Sequence, residues 1–133
     1  MFVDTSFLID LMRERRRQEA GPATRKLRAL GDIPLYMSVF VACELHAGAR
    51  LSARPKEEIR KVEMLTEFIE VVLPDRSLAV AYGEAEAALR KAGEPIPVMD
   101  LLIGVTAKMR GLPLLAGRDL HFKRIPGLVV ETY

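Results

Sequence analysis

A chain of 133 residues, half of them hydrophobic and 29% charged, is long enough for one domain over residues 1–133. It can bury roughly two thirds of its unfolded surface, and it is too apolar to stay disordered. The net charge of +2 permits a nucleic-acid partner without demanding one, and a single cysteine, Cys43, excludes an internal disulfide framework. No apolar run approaches the ~20 residues that cross a bilayer, and the first residues lack the order of a secretory signal. No membrane partner and a cytoplasmic location are therefore expected. Trp is absent and aromatics are 6%, so stacking platforms for single-stranded nucleic acid are scarce.

Phe2 and Val3 read as the end of a buried strand. Phe7, Leu8, Leu11 and Met12 then recur at helical spacing. Asp4, followed by Thr5 and Ser6, sits where the strand stops and the helix starts. In an open parallel sheet that place is the carboxyl edge, where ligands bind. A carboxylate there is either a helix cap or a functional acid. The stretch from Arg13 to Pro22 is dense in Arg and ends in a Gly-Pro break. It is read as a frayed helix end and a loop, its cations favoured by the helix dipole or placed to touch phosphate or protein.

Pro22 opens a second helix, with Leu27 and Leu30 on its apolar stripe as far as Gly31. Leu35 to Met37 is a strand, and Ser38 caps a helix over Val39–Leu51, with Glu44 in its middle. Ser52 to Pro55 breaks that helix. Lys56 to Ile69 is amphipathic, and Val71 to Leu73 is a short strand closed by Pro74. Asp75 or Ser77 caps a helix over Leu78–Lys91, stopped by Gly93. After the rigid Glu94–Pro97 loop, Asp100 begins a helix over Leu101–Met109. Pro113 to Ala116 is a strand, Gly117 to Lys123 a loop, and Leu128 to Glu131 the last strand. Apolar rather than alternating strands between helices indicate an α/β fold with a parallel sheet covered on both faces.

Four acids stand out. Asp4, Asp100 and Asp119 lie at or near strand-to-helix junctions, which in a parallel sheet share one edge. Glu44, interrupting an apolar stripe, is long enough to lean back towards that edge. Each has an ordinary alternative: caps for Asp4 and Asp100, an Asx turn for Asp119, a solvated side chain for Glu44. If the four converge, they cannot all stay ionised without a cation. Mg²⁺ suits a few carboxylates with water and phosphate completing its shell, and Mn²⁺ is the expected substitute. Such an ion activates water and polarises a phosphoryl oxygen, so the expected reaction is hydrolysis of a phosphodiester by one metal or by two about 4 Å apart. Thr5 and Ser6 are expected to support Asp4 or a metal-bound water. His46 and His121 lack close metal-ligand spacing; His121 falls two residues from Asp119, and a packed or solvated ring is its ordinary reading.

With the acids placed, the sequence resembles the PIN-domain ribonucleases, specifically the VapC toxins of prokaryotic toxin–antitoxin pairs. The resemblance is carried by Val3 to Asp10, by Ser38 to Leu45 with Gly48, by Pro97 to Ile103, and by the tail from Gly111 to Leu115 and Arg118 to Leu128. It implies a three-layer α/β/α sandwich with a central parallel sheet of about five strands. It implies an Mg²⁺ site at Asp4, Glu44, Asp100 and Asp119, aided by Thr5 or Ser6. It further implies endonucleolytic cleavage of RNA, a homodimer, and neutralisation by a small VapB-like antitoxin in a heterotetramer or larger assembly. Departures from the family pattern are Gly104-Val105 where a small Ala pair is common, Gly117 where Thr or Ser is frequent, and the basic Arg13–Arg17 stretch.

Other readings fit less well. A phosphoaspartyl phosphatase resembles Asp-x-Asp-x-Thr, and position 6 here is Ser. A response-regulator receiver needs an Asp after its third strand and a Lys after its fifth; Val71 to Asp75 is a poor version of the first and the lysine has no good candidate. A catalytically inactive PIN-like module binding RNA or protein is the remaining alternative.

Overall fold

The computed structural model describes residues 1–117 and 121–133. Its elements alternate along the chain: β1 Phe2–Val3, α1 Thr5–Arg17, α2 Pro22–Leu30, β2 Tyr36–Ser38, α3 Val39–Arg50, α4 Pro55–Phe68, β3 Glu70–Val72, α5 Ser77–Lys91, α6 Val98–Met109, β4 Leu114–Leu115 and β5 Val130–Glu131, with a 3₁₀ turn at Phe122–Arg124 before the last strand. The strands form one five-stranded sheet in the order β3-β2-β1-β4-β5, and every pairing is parallel. Six helices among the described residues flank it, giving the expected α/β sandwich.

β1 is central because both of its residues are fully buried and apolar, as a strand covered on both faces must be. Chain order runs outward from β1 through β2 to β3, then returns to the other side for β4 and β5. The direction therefore reverses between β1 and β4, and that switch point is where an open parallel sheet leaves a crevice at its carboxyl ends. Register ties the two strands there: Val3 pairs with Leu115, and Asp4 donates its N–H to the Leu115 carbonyl at 2.9 Å. The core gathers Phe2, Val3, Phe7, Leu8, Met37, Leu101, Ile103, Leu114 and Leu115, all with no exposed surface.

Several boundaries differ from those read in the sequence. Arg13 to Arg17 is neither frayed nor loop: α1 continues through Arg17 and ends at Gln18 in the left-handed conformation, φ 57°. Arg is a good helix former, and Glu14 anchors this end by accepting hydrogen bonds from Gly21, Ala23 and Thr24 N–H. The third strand is shifted to Glu70–Val72, leaving Leu73 exposed. Asp75, rather than Ser77, accepts from the Ser77 N–H and hydroxyl before α5. α6 begins at Val98, so Asp100 lies inside its first turn and does not cap it. Gly104 packs closely under Ile125, Leu128 and Phe122, so a Cβ there would make the Ile125 side chain shift.

Candidate active site

Asp4 ends β1 and caps α1. It has an extended backbone, and its Oδ2 accepts from the Ser6 N–H at 3.1 Å and the Ser6 hydroxyl at 2.7 Å. Capping and function were alternatives in the sequence; the geometry gives Asp4 the cap and also places it, 7% exposed, in the switch-point crevice. Burial pushes its carboxyl above the usual range, the Ser6 and Thr5 hydrogen bonds offset part of that rise, and the charge of Asp100 adds to it. Ser6 also accepts the Gly117 N–H at 2.9 Å, tying α1 to the chain just after β4.

Glu44 is the sixth residue of α3, whose start is fixed by Ser38, the last residue of β2, accepting from the Val41 N–H. Its side chain leans back to the edge, where Oε2 accepts the Thr5 hydroxyl at 2.5 Å across 39 residues of sequence. The Thr5 hydroxyl thus supports Glu44, a partner the sequence did not indicate, while the Thr5 backbone N–H bonds Asp4. Burial raises the Glu44 carboxyl, Thr5 offsets some of this, and the charges of Asp4 and Asp100 raise it further. The three carboxylates are therefore near enough to feel one another, although they come from three separate elements.

Asp100 stands in the first turn of α6, and its Oδ2 accepts from His121 Nδ1 at 2.5 Å. A carboxylate partner makes Nδ1 the protonated ring nitrogen and leaves Nε2 for another contact. His121 is therefore neither simply packed nor simply solvated, and the sequence missed it: 21 residues separate the pair. Its position beside Asp119 was the only signal. Asp119 itself lies outside the described residues. His46 has no hydrogen bond or ion pair among the described residues that joins it to these groups.

The charge and donor type of this edge are those a hard divalent cation takes. Asp4, Glu44 and Asp100 offer only hard oxygen donors, and among the described residues no lysine or arginine forms an ion pair with them. Spacing is looser than a formed cage: among the described residues no group of three or more His, Cys, Asp or Glu side chains stands close enough to hold an ion. Beside Glu44, a cleft of about 310 Å³ opens between α1, α3 and α4, with Arg13, Arg16 and Lys61 among its walls. The basic stretch that the sequence left unassigned thus has two of its arginines in a groove that ends on a site carboxylate.

The PIN domain model matches residues 1–128. The chain belongs to the PIN-domain family. Within it, the VapC branch is indicated by Ribonuclease VapC1 of Haemophilus influenzae, 32% identical over 126 residues that cover 95% of this chain and 92% of the relative. The tRNA(fMet)-specific endonuclease VapC of Salmonella typhimurium is 31% identical over 99 residues, 74% of this chain and 75% of that one. Among solved structures, DNA-bound VapBC from Salmonella typhimurium superposes with a TM-score of 0.87 at 27% identity, covering 98% of this chain and 96% of the other. A PIN domain of the VapC type thus accounts for the sheet order and for the expected three-layer architecture. No helix among the described residues is long and apolar enough to cross a membrane.

Proposed function

We propose that this PIN domain is the toxin of a toxin–antitoxin pair, an Mg²⁺-dependent endoribonuclease that hydrolyses RNA phosphodiesters at Asp4, Glu44, Asp100 and Asp119. The observation that carries the reading is the gathering of Asp4, Glu44 and Asp100 from three elements at the sheet's switch point, where burial raises the carboxyls of Asp4 and Glu44 and neighbouring acids raise them further. Buried like charges are costly, and a cation plus a phosphate is what relieves them. Mn²⁺ is the expected substitute.

Asp4, Glu44 and Asp100 would hold the ion, with Asp119 the fourth acid expected from the family pattern. When bound, the ion supplies Lewis acidity at the phosphate and a more acidic water. The chain's own residues prepare the site. Ser6 fixes one oxygen of Asp4. Thr5 orients Glu44, and His121 orients Asp100. Such support around the ligands holds the charges where they act. The cleft leading from Glu44 past Arg13 and Arg16 suits an RNA backbone, whose affinity there falls as salt rises.

The related VapBC and toxin–antitoxin structures support an antitoxin as partner; the reading makes it small and VapB-like, bound in a heterotetramer or larger assembly built on a toxin homodimer. The carboxylates call for a basic antitoxin side chain, with Arg best suited to pair bidentately. The test is RNA incubated with the purified protein and Mg²⁺, beside an EDTA control and Asp4→Ala. Cleavage is expected in the first arm alone; cleavage that survives both controls overturns the metal–carboxylate mechanism. No cleavage in any arm favours the inactive, binding module.

A further inference from the structure

Tyr133 follows β5, yet its side chain ends among residues of α1 and the chain after β4. Its ring meets Phe7 edge to face, with centroids 5.1 Å apart at 75°. Its hydroxyl donates to Asp10 Oδ2 at 2.9 Å. The same hydroxyl lies against Gly117: a Cβ at that position would stand 2.5 Å from Tyr133 Oη, 3.0 Å from Cζ and 3.3 Å from Ser6 Oγ. The end of the phenol thus fills space that any other residue at 117 would take.

Ser6 is next to this contact, with its one proton and one of its two lone pairs engaged. It accepts the Gly117 N–H at 2.9 Å and donates its proton to Asp4 at 2.7 Å. The Tyr133 proton is on Asp10, so the phenol does not compete with the Gly117 N–H as a donor to Ser6. It closes the space beside Ser6 and Gly117 without disturbing the bond that supports Asp4.

We propose that Tyr133 is a positioning residue for the acidic edge: wedged against Gly117, its hydroxyl holds Ser6 in the arrangement that supports Asp4 and fixes the chain at Gly117, just after β4. This rests on the ribonuclease reading of that edge. Small displacements of reacting groups cost large factors in rate, so a residue that touches none of the reacting atoms still governs turnover. Asp10 is partly exposed, and water replaces the phenol there, so removing the hydroxyl costs the fold little.

The test uses Tyr133→Phe, which keeps the ring on Phe7. Single-turnover RNA cleavage is expected to fall about tenfold, the size of one ordinary net hydrogen bond, with half-saturation by RNA unchanged and Tm within about 2 °C. Independently of activity, hydrogen exchange at the Gly117 amide should rise about tenfold while the amides of β1 and β4 keep their protection. Gly117→Ala should reproduce both effects, because a methyl cannot share that space. Tyr133→Phe combined with Ser6→Ala should cleave no more slowly than Ser6→Ala alone, the mark of two residues acting through one bond. A wild-type rate with unchanged Gly117 exchange overturns the proposal, as does a general loss of protection with a matching fall in Tm, which is a merely structural role. If the wild-type protein cleaves no RNA, or Asp4→Ala cleaves as well as wild type, the ribonuclease reading fails, and Gly117 exchange still decides the role of Tyr133.

Discussion

Glu14 and Asp4 are both carboxylates that accept backbone N–H groups at the start of a helix, Glu14 from the helix after its own, but the fold treats them oppositely. Glu14 reaches from α1 to the first turn of α2, accepting from Gly21 at 3.0 Å, Ala23 at 3.0 Å and Thr24 at 2.8 Å. Burial acts to raise its carboxyl, but the hydrogen bonds from Thr24, Ala23 and Gly21 together outweigh that and hold it below the usual range. Asp4 accepts from the Ser6 N–H and hydroxyl and from the Thr5 N–H, but burial outweighs these bonds and Asp100 adds to it, so its carboxyl is held above the usual range. Hydrogen bonds to a helix start are therefore not enough to settle a carboxylate. Where donors outnumber the cost of burial, the acid clasps two helices together. Where burial and like charge win, the acid is a poor structural element and a good receptor for positive charge.

The contrast is broken most directly at Asp100. Asp100→Asn should reduce RNA cleavage more than a hundredfold, as loss of a charged group acting on the reacting centre does. Thermal stability should stay similar or rise, because the substitution relieves repulsion and the amide oxygen can still accept from His121; a large fall in Tm would mean that Asp100 is chiefly structural. At the clasp the reverse is expected. Glu14→Ala should cost about 1–2 kcal/mol in denaturant unfolding, the range for a lost helix cap, and leave cleavage by the folded protein near wild type.

Thr5→Val keeps the shape and removes the donor to Glu44. Cleavage should fall about tenfold, in keeping with one hydrogen bond to a charged group. An unchanged rate would show that Glu44 needs no orientation. The smallest effect concerns stability and its pH dependence. The folded carboxyl of Asp4 is raised, so its destabilising effect is absent below the ordinary carboxylate range and grows as pH rises through the folded value. Asp4→Asn, which can still accept from the Ser6 N–H, should therefore raise the stability of the metal-free protein at neutral pH, and the gain should vanish on acidification. Glu14 is lowered, so its contribution is present at neutral pH and is lost as pH falls through its folded value. Glu14→Gln should be destabilised at neutral pH, with the difference from wild type closing in acid. Parallel pH curves for the two variants would dissolve the distinction between clasp and receptor.

Much of this was legible in local pattern. The change from an apolar pair at Phe2-Val3 to helical spacing at Phe7, Leu8 and Leu11 placed Asp4 at a junction, because strand and helix periods differ within a few residues. Ser38 was identifiable as a cap for the same reason. Glu44 stood out as an acid interrupting an apolar stripe. Asp100 was located near its edge, with capping as its ordinary alternative, and the structure removes that alternative because Pro97 starts α6 earlier than the acid suggested. The basic stretch was taken as frayed because its anchor, the Glu14 clasp, spans a turn that composition does not describe.

Sequence by itself determined which segments are strands or helices and which carboxylates stand at their junctions, since these follow from periodicity and capping chemistry over a few neighbours. Only the tertiary structure decided partnership: Thr5 with Glu44, His121 with Asp100, and Tyr133 with Asp10 across 123 positions. Such pairs depend on how whole elements dock around the sheet, and the side-chain-free space at Gly117 that admits Tyr133 exists only once β5 has come to lie beside β4.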